Sequence, residues 1–192
     1  MRPLVLASGS LYRRELLQRL QLPFVCHSPN IDETPHANEE AVTLVQRLAV
    51  AKACTLRKQF LQHLIIGSDQ VAVLDGQIIG KPGSRAAAIA QLQTASGRSL
   101  TFYTGLCLLD SASNRLQVDC VPFTVHFRQL TDAQIERYVD REKPFDCAGS
   151  FKSEGLGISL FRTTEGEDAT ALVGLPLIRL CDMLNQAGIE VP

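Results

Sequence analysis

Two serines and two arginines surround the first predicted turn of the chain. Residues 4–6 form a short apolar run that predicts a buried strand, and Ser8 and Ser10 flank a glycine just after it. A leucine pattern typical of a helix follows, with Arg13 and Arg14 near its start. Because free backbone N–H groups and the helix dipole attract anions, this stretch predicts a phosphate site. A capped helix with solvated arginines is the alternative.

Three more charged residues lie next to apolar segments or a proline, which restrict the positions that they can adopt. Asp69 lies between two apolar strand segments, where an acid is expensive to bury. It is either a strand-end residue that accepts backbone hydrogen bonds, or a general base or metal ligand. Lys52 lies beside the apolar stripe of a predicted helix, so its ammonium either reaches the rim or turns inward. Lys81 precedes a proline and is either an ordinary surface lysine or a point charge for phosphate.

Together these side chains predict an oxyanion-binding cluster contributed by three segments. Its members are Ser8, Ser10, Arg13, Arg14, Lys52 and Lys81. Asp69 adds the acid that a phosphate site needs to activate water or to hold Mg²⁺. Glu33, in a loop bracketed by prolines, is a second acid candidate, with a solvated loop residue as the alternative. Walker, HExxH and G-x-S-x-G patterns do not occur in the sequence, so those chemistries are not supported.

Composition limits the class of protein. The chain has 192 residues, of which 45% are hydrophobic, and a formal charge of −1, so we expect one globular domain over 1–192 and no nucleic acid polymer as partner. The six cysteines form no C-x-x-C pair, which favours reduced thiols. A signal peptide and an apolar run of about 18 residues are both missing from the sequence, so we expect no membrane association and a cytoplasmic location.

The predicted elements alternate between strands and helices. Strands are expected at 4–6, 23–27, 64–74, 78–79, 99–109, 116–128 and 158–161. Helices are expected after Ser10, from an N-cap at Asn38, from a cap at Ser84, from a capping box at Thr131, and over 175–186. Asp75 and Gly76 predict a hairpin turn. This pattern favours an α/β fold with a mixed, twisted sheet and flanking helices.

Six short motifs occur in a characteristic order. They are Ala7-Ser-Gly-Ser10 with Arg13-Arg14, Arg47-Leu48-Ala49 with Lys52-Ala53, Gly67-Ser-Asp69, Gly80-Lys-Pro82, Ser96-Gly97 and Val173-Gly-Leu-Pro-Leu177. On these motifs the sequence resembles the Maf family of nucleoside triphosphate pyrophosphatases over nearly its whole length. The resemblance implies two lobes around a central cleft, as in Maf and ITPase-like proteins, and a small-molecule nucleoside triphosphate as substrate. It also implies a divalent cation, Mg²⁺ with Mn²⁺ or Co²⁺ as alternatives, and it suggests a homodimer.

The resemblance also indicates a branch of the family. The family's three specificity positions correspond to Tyr12, Gln70 and Glu154, and these residues are similar to the branch that hydrolyses 7-methyl-GTP to 7-methyl-GMP and diphosphate. A tyrosine ring stacks well on the cationic 7-methylguanine base. A carboxylate such as Glu154 can accept hydrogen bonds from both donors of the guanine edge.

The resemblance therefore implies a chemical role for each of the two acids at the site. Asp69 would accept the proton of the attacking water, and Asp69 and Glu33 would be the metal ligands. A pyrophosphatase that prefers dTTP and UTP is one alternative function. The other is a non-catalytic, nucleotide-sensing regulator of cell division.

Overall fold

The structure is a computed structural model that describes residues 2–191. Its strands are β1 (Leu4–Leu6), β2 (Phe24–Cys26), β3 (Leu64–Leu74), β4 (Gln77–Ile79), β5 (Ser99–Asp110), β6 (Arg115–Phe127) and β7 (Phe161–Glu165). Its helices are α1 (Leu11–Gln18), α2 (Ala41–Thr55), α3 (Arg85–Ala95), α4 (Asp132–Glu142), α5 (Ala169–Val173) and α6 (Leu177–Gln186). Two short 3₁₀ helices lie at Ala148–Ser150 and Leu156–Leu160.

The strands form a mixed sheet, as the sequence predicted. Their order is β2–β1–β3–β5–β6–β7, and β4 pairs with β3. β1 runs parallel to β2 and β3, whereas β4 is antiparallel to β3 and β7 is antiparallel to β6. The predicted α/β class with a mixed sheet and flanking helices is therefore confirmed.

Packing divides the chain into two compact units. Among the described residues, the first contains 2–70, 103–121 and 168–191, and the second contains 71–102 and 122–167. In the first unit, leucines of β1, β3 and β5 pack with α1 and α6, and a separate apolar cluster lies under α2. In the second unit, four phenylalanine rings pack edge to face: Phe102, Phe127, Phe151 and Phe161. Each unit therefore has an apolar core of its own.

Local turn and cap signals were reliable. Asp75 and Gly76 both have positive φ and join β3 to β4. Ser84 caps α3, and Thr131 with Gln134 forms a complete capping box at the start of α4. Across residues 2–191, every helix is too short or too polar to span a bilayer.

Two local predictions were wrong, and one helix was missed. Asn38 has a left-handed backbone (φ 58°), and α2 begins only at Ala41, after Glu40. The strand expected at 158–161 is mostly 3₁₀ helix, and Ile158, which suggested a buried strand, is exposed. The sequence analysis did not predict helix α5, which follows Asp168.

Candidate active site

Two glycines bring helix α2 into backbone contact with the sheet. A Cβ on Gly67 of β3 would lie 2.1 Å from the carbonyl oxygen of Ala49, and a Cβ on Gly105 of β5 would lie 2.2 Å from that of Val45. Only glycine permits so close an approach. Asp69 lies on the same face of β3 as Gly67, two residues further on, because side chains of a strand alternate between faces. Lys52 lies one helical turn after Ala49 and therefore reaches the same place.

The ammonium of Lys52 lies between two carboxylates. Its Nζ is 2.5 Å from Oδ1 of Asp69 and 2.7 Å from Oε1 of Glu33. Lys52 and Asp69 are each 7% exposed, whereas the Glu33 side chain lies in an exposed loop. The lysine therefore turns inward and does not extend to the rim, because a buried partner of opposite charge is available to it.

Arg13 supplies a second cation beside the same acids. Its Nε donates to the carbonyl oxygen of Gly174 at 2.8 Å. Burial lowers the pKa of Arg13 below its usual value, while the negative charges of Asp69 and Glu33 act in the opposite direction. The first unit thus assembles two cations and two carboxylates, the composition that a polyphosphate and a hydrolytic water require.

The two serines hold the start of α1. Ser8 is buried, and its Oγ accepts from the backbone N–H of Ser10 at 3.1 Å and lies 3.5 Å from Nη1 of Arg13. The Ser10 side chain caps α1 by accepting from the backbone N–H of Arg13. Arg14 is exposed on the same helix. The capping interpretation therefore holds for Ser10, and phosphate contacts by Ser8, Ser10 and Arg14 remain predictions.

Polar residues of β3 and β5 hold helix α5. Nε2 of Gln70 donates to the carbonyl oxygens of Ala171 at 2.7 Å and Leu172 at 3.1 Å, and Thr104 Oγ1 donates to that of Ala171 at 2.8 Å. The Ser68 hydroxyl lies 2.9 Å from the carbonyl oxygen of Gly174, which also accepts from Arg13. In this structure the Gln70 amide thus contacts α5, and its predicted role in base selection stays a prediction.

Asp168 is a structural residue that the sequence analysis missed. It is 3% exposed, and its Oδ1 accepts from the backbone N–H of Thr170 at 2.9 Å. Its Oδ2 accepts from the backbone N–H of Ile178 at 2.8 Å, so one carboxylate serves the starts of α5 and α6. The Asp-x-Thr spacing before a short helix was the available signal for this cap. Through α5, Asp168 supports the turn whose carbonyl holds Arg13.

The remaining predicted site residues are distributed over both units. Tyr12 is half-buried on α1 in the first unit. Lys81 and Glu154 belong to the second unit, and both are exposed. Their roles with substrate stay predictions from the resemblance.

The acids suit a metal that shares its coordination with a substrate. Among residues 2–191, no three His, Cys, Asp or Glu side chains form a group that could hold an ion. Glu33 and Asp69, however, place two hard oxygen donors on one ammonium. Mg²⁺ commonly takes one or two carboxylates and completes its shell with phosphate oxygens and water. The donor set therefore fits Mg²⁺ bound together with a nucleotide.

The chain matches one family model and is similar to relatives that share one name. The profile of a family described as Maf-like protein matches residues 3–187. The chain is 65% identical to a Pseudomonas aeruginosa protein and 63% identical to one from Pseudomonas savastanoi pv. phaseolicola, in each case over 98% of both chains. Both relatives are named 7-methyl-GTP pyrophosphatase.

A solved structure supports the fold. A HAM1 protein from Coxiella burnetii superposes with a TM-score of 0.51 at 19% identity, over 68% of this chain and 75% of that one. At this identity the likeness bears on the fold alone. The family match covers nearly the whole sequence. The chain belongs to the Maf family.

Proposed function

We propose that this chain hydrolyses 7-methyl-GTP to 7-methyl-GMP and diphosphate, and so removes modified nucleotides from the nucleotide pool. One observation carries the chemistry: buried Asp69 lies against Lys52 in a cluster that also holds Arg13 and Glu33. The choice of substrate is supported by near-full-length relatives with that name. The enzyme is thus a nucleoside triphosphate diphosphatase.

Asp69 acts as the proton acceptor. The oxygen of a water molecule attacks the α-phosphorus, Asp69 takes the water proton, and the bond to the bridging oxygen breaks as diphosphate leaves with the electron pair. Lys52 is held by its ion pair with Asp69, and Arg13 is held by the carbonyl oxygen of Gly174. These two fixed cations balance the negative charge of the triphosphate.

A divalent cation completes the proposed site. Glu33 and Asp69 would hold Mg²⁺, with Mn²⁺ or Co²⁺ as substitutes, and the bound ion would supply charge neutralisation on the phosphate oxygens. Both carboxylates contact the ammonium of Lys52, so the two proposed ligands lie close to each other.

Base recognition is assigned to the three specificity positions, Tyr12, Gln70 and Glu154. Tyr12 stacks on the methylated base with a cation–π contribution of about 0.5–2 kcal/mol. Glu154 accepts from the guanine edge, and the Glu154→Gln variant is expected to lose preference for 7-methyl-GTP over UTP. Lys81 and Arg14 are proposed as further phosphate contacts.

We also place the enzyme in the cytoplasm. The six cysteines are present as thiols, which a reducing compartment preserves. Nucleotide pools, the proposed source of substrate, occupy the same compartment.

A nucleotide panel with measured diphosphate release tests the proposal. We expect the fastest turnover with 7-methyl-GTP, many turnovers per protein, and loss of turnover when the metal is chelated. Asp69→Asn should lower kcat by about 10²–10⁴-fold. Asp140→Asn, the same change at an exposed ion pair of the second unit, is the matched control and should retain activity.

Each outcome has a separate meaning. Equal rates for UTP and 7-methyl-GTP would contradict the substrate. Near-normal turnover by Asp69→Asn would contradict its role as the base. Binding of nucleotide with less than one turnover per protein would favour a non-catalytic regulator.

A further inference from the structure

Arg47 is the charged residue of the six motifs to which the proposed mechanism gives no role. It lies on α2, the helix that carries Lys52, and its side chain contacts residues that precede this helix. Nε donates to Oε1 of Glu39 at 2.6 Å, and Nη2 donates to Oε2 of the same carboxylate at 2.7 Å. This two-point geometry is the strongest form of an arginine–carboxylate pair. Nη2 also lies 3.2 Å from the carbonyl oxygen of Thr34.

The segment that Arg47 holds is the one that carries Glu33. Thr34 directly follows Glu33, and its backbone N–H donates to Oδ1 of Asp32 at 2.9 Å. The carboxylate of Glu39 accepts in turn from the backbone N–H of His36 at 2.9 Å. A chain of hydrogen bonds thus connects the guanidinium of Arg47 to both sides of the turn after Glu33.

This segment depends on polar contacts for its position. Residues 32–38 are all exposed, so little apolar surface is available to hold them. The hydrogen bonds from Arg47 lower the pKa of Glu39 to about 2, and the pKa of Arg47 is raised by the same contact. Both groups therefore stay charged around neutral pH, and the pair persists under the conditions of the reaction.

We propose that Arg47, through Glu39 and Thr34, is a positioning residue that keeps Glu33 in contact with Lys52. This inference rests on the proposed function, in which Glu33 is a metal ligand. α2 holds the loop at two places, with the ammonium of Lys52 on Glu33 and the guanidinium of Arg47 on the residues that follow. Arg47 does not touch the reacting atoms and acts only through the placement of Glu33.

A double-mutant cycle tests the proposal. The variants are Arg47→Met, Glu33→Gln and the double variant, with Arg85→Met as the matched control. Arg85 forms the same two-point pair with exposed Asp140, far along the chain from Glu33. Arg47→Met is expected to raise the Mg²⁺ concentration for half-maximal rate by about tenfold, the usual effect of removing a residue that supports a metal ligand.

Non-additivity is the decisive readout. Because both single changes remove the same function, the double variant should resemble Glu33→Gln within about twofold. A double variant whose loss equals the product of the two single losses would overturn the proposal. Arg47→Lys keeps the charge but not the two-point geometry, so an intermediate loss is expected, and this variant replaces Arg47→Met if the latter does not fold.

Hydrogen exchange separates this inference from the proposed function. In the intact protein, Arg47→Met should speed amide exchange over 31–39 by about tenfold and leave exchange in α2 unchanged. The control Arg85→Met should not change exchange over 31–39. Unchanged exchange over 31–39 would overturn the inference even if the enzyme hydrolyses 7-methyl-GTP. Faster exchange in a protein that releases no diphosphate would overturn only the proposed function and would support the hold of Arg47 on the loop.

Discussion

Replacing Gly67 by alanine should disturb stability and catalysis together. The added Cβ would lie 2.1 Å from the carbonyl oxygen of Ala49 and 3.1 Å from the backbone nitrogen of Ala53, whereas real Cβ contacts under 3.0 Å essentially never occur. The obstacle is helix backbone and not a flexible side chain. Helix α2 would therefore have to retreat from β3 by about 1 Å, since a packed interior has no spare volume.

The size of the effect follows from this displacement. Overpacking of a core typically costs about 1–3 kcal/mol, and a backbone obstacle places Gly67→Ala near the upper end. For a chain of this length, about 3 kcal/mol corresponds to a fall in melting temperature of roughly 6–12 °C. Because α2 carries Lys52, a shift of about 1 Å also separates its ammonium from Asp69, and kcat should fall by about 100-fold.

Differential scanning calorimetry and diphosphate release measure the two effects. Gly80→Ala is the matched control, since a Cβ there would meet open space and the backbone is not left-handed. Its melting temperature should equal or slightly exceed that of the wild type. A Gly67→Ala protein that melts within about 2 °C of this control and retains kcat would refute the account of how α2 positions Lys52.

Four further predictions concern single groups. Asp168→Ala leaves partly buried backbone donors of two helices without a side-chain acceptor and should destabilise the protein by about 2 kcal/mol in urea unfolding. Thr131→Ala removes a capping box and should cost about 1 kcal/mol in the same assay. Because the pKa of Glu39 is lowered to about 2, its contribution to stability is present above pH ~4.5, so the difference between wild type and Glu39→Gln should vanish as pH falls from ~4.5 to 2. Burial raises the pKa of Cys107 to about 12, so iodoacetamide at pH 8 should modify exposed Cys54 and leave Cys107 unmodified in peptide mass spectra.

Features with a local physical cause were predictable from the sequence. Two helix caps and one hairpin turn have their predicted roles: the capping box of Thr131 and Gln134, the cap at Ser84, and the turn at Asp75-Gly76. Each acts through hydrogen bonds or backbone preferences within a few residues. The resemblance to the Maf family, carried by the order of its motifs, is confirmed by the family match.

Features that depend on distant contacts were not predictable. Helix α5 is only five residues long, too short for a periodic pattern, and it is held by Gln70, Thr104 and the Asp168 cap. The orientation of Lys52 depends on how closely α2 approaches β3, which Gly67 determines only once the two elements are packed. A pattern of residue types carries no information about such a distance.

The bond between Arg13 and the carbonyl oxygen of Gly174 joins residues 161 positions apart. During synthesis the N-terminal segment with Ser8, Ser10 and Arg13 leaves the ribosome long before that partner is translated. The packing of β1 likewise depends on the synthesis of α6, because leucines of both elements belong to one apolar cluster. A prematurely terminated chain would therefore carry most of the proposed catalytic side chains without a fixed Arg13. Hydrolysis is thus expected only from finished polypeptides, so truncated fragments should not consume nucleotides in the cell.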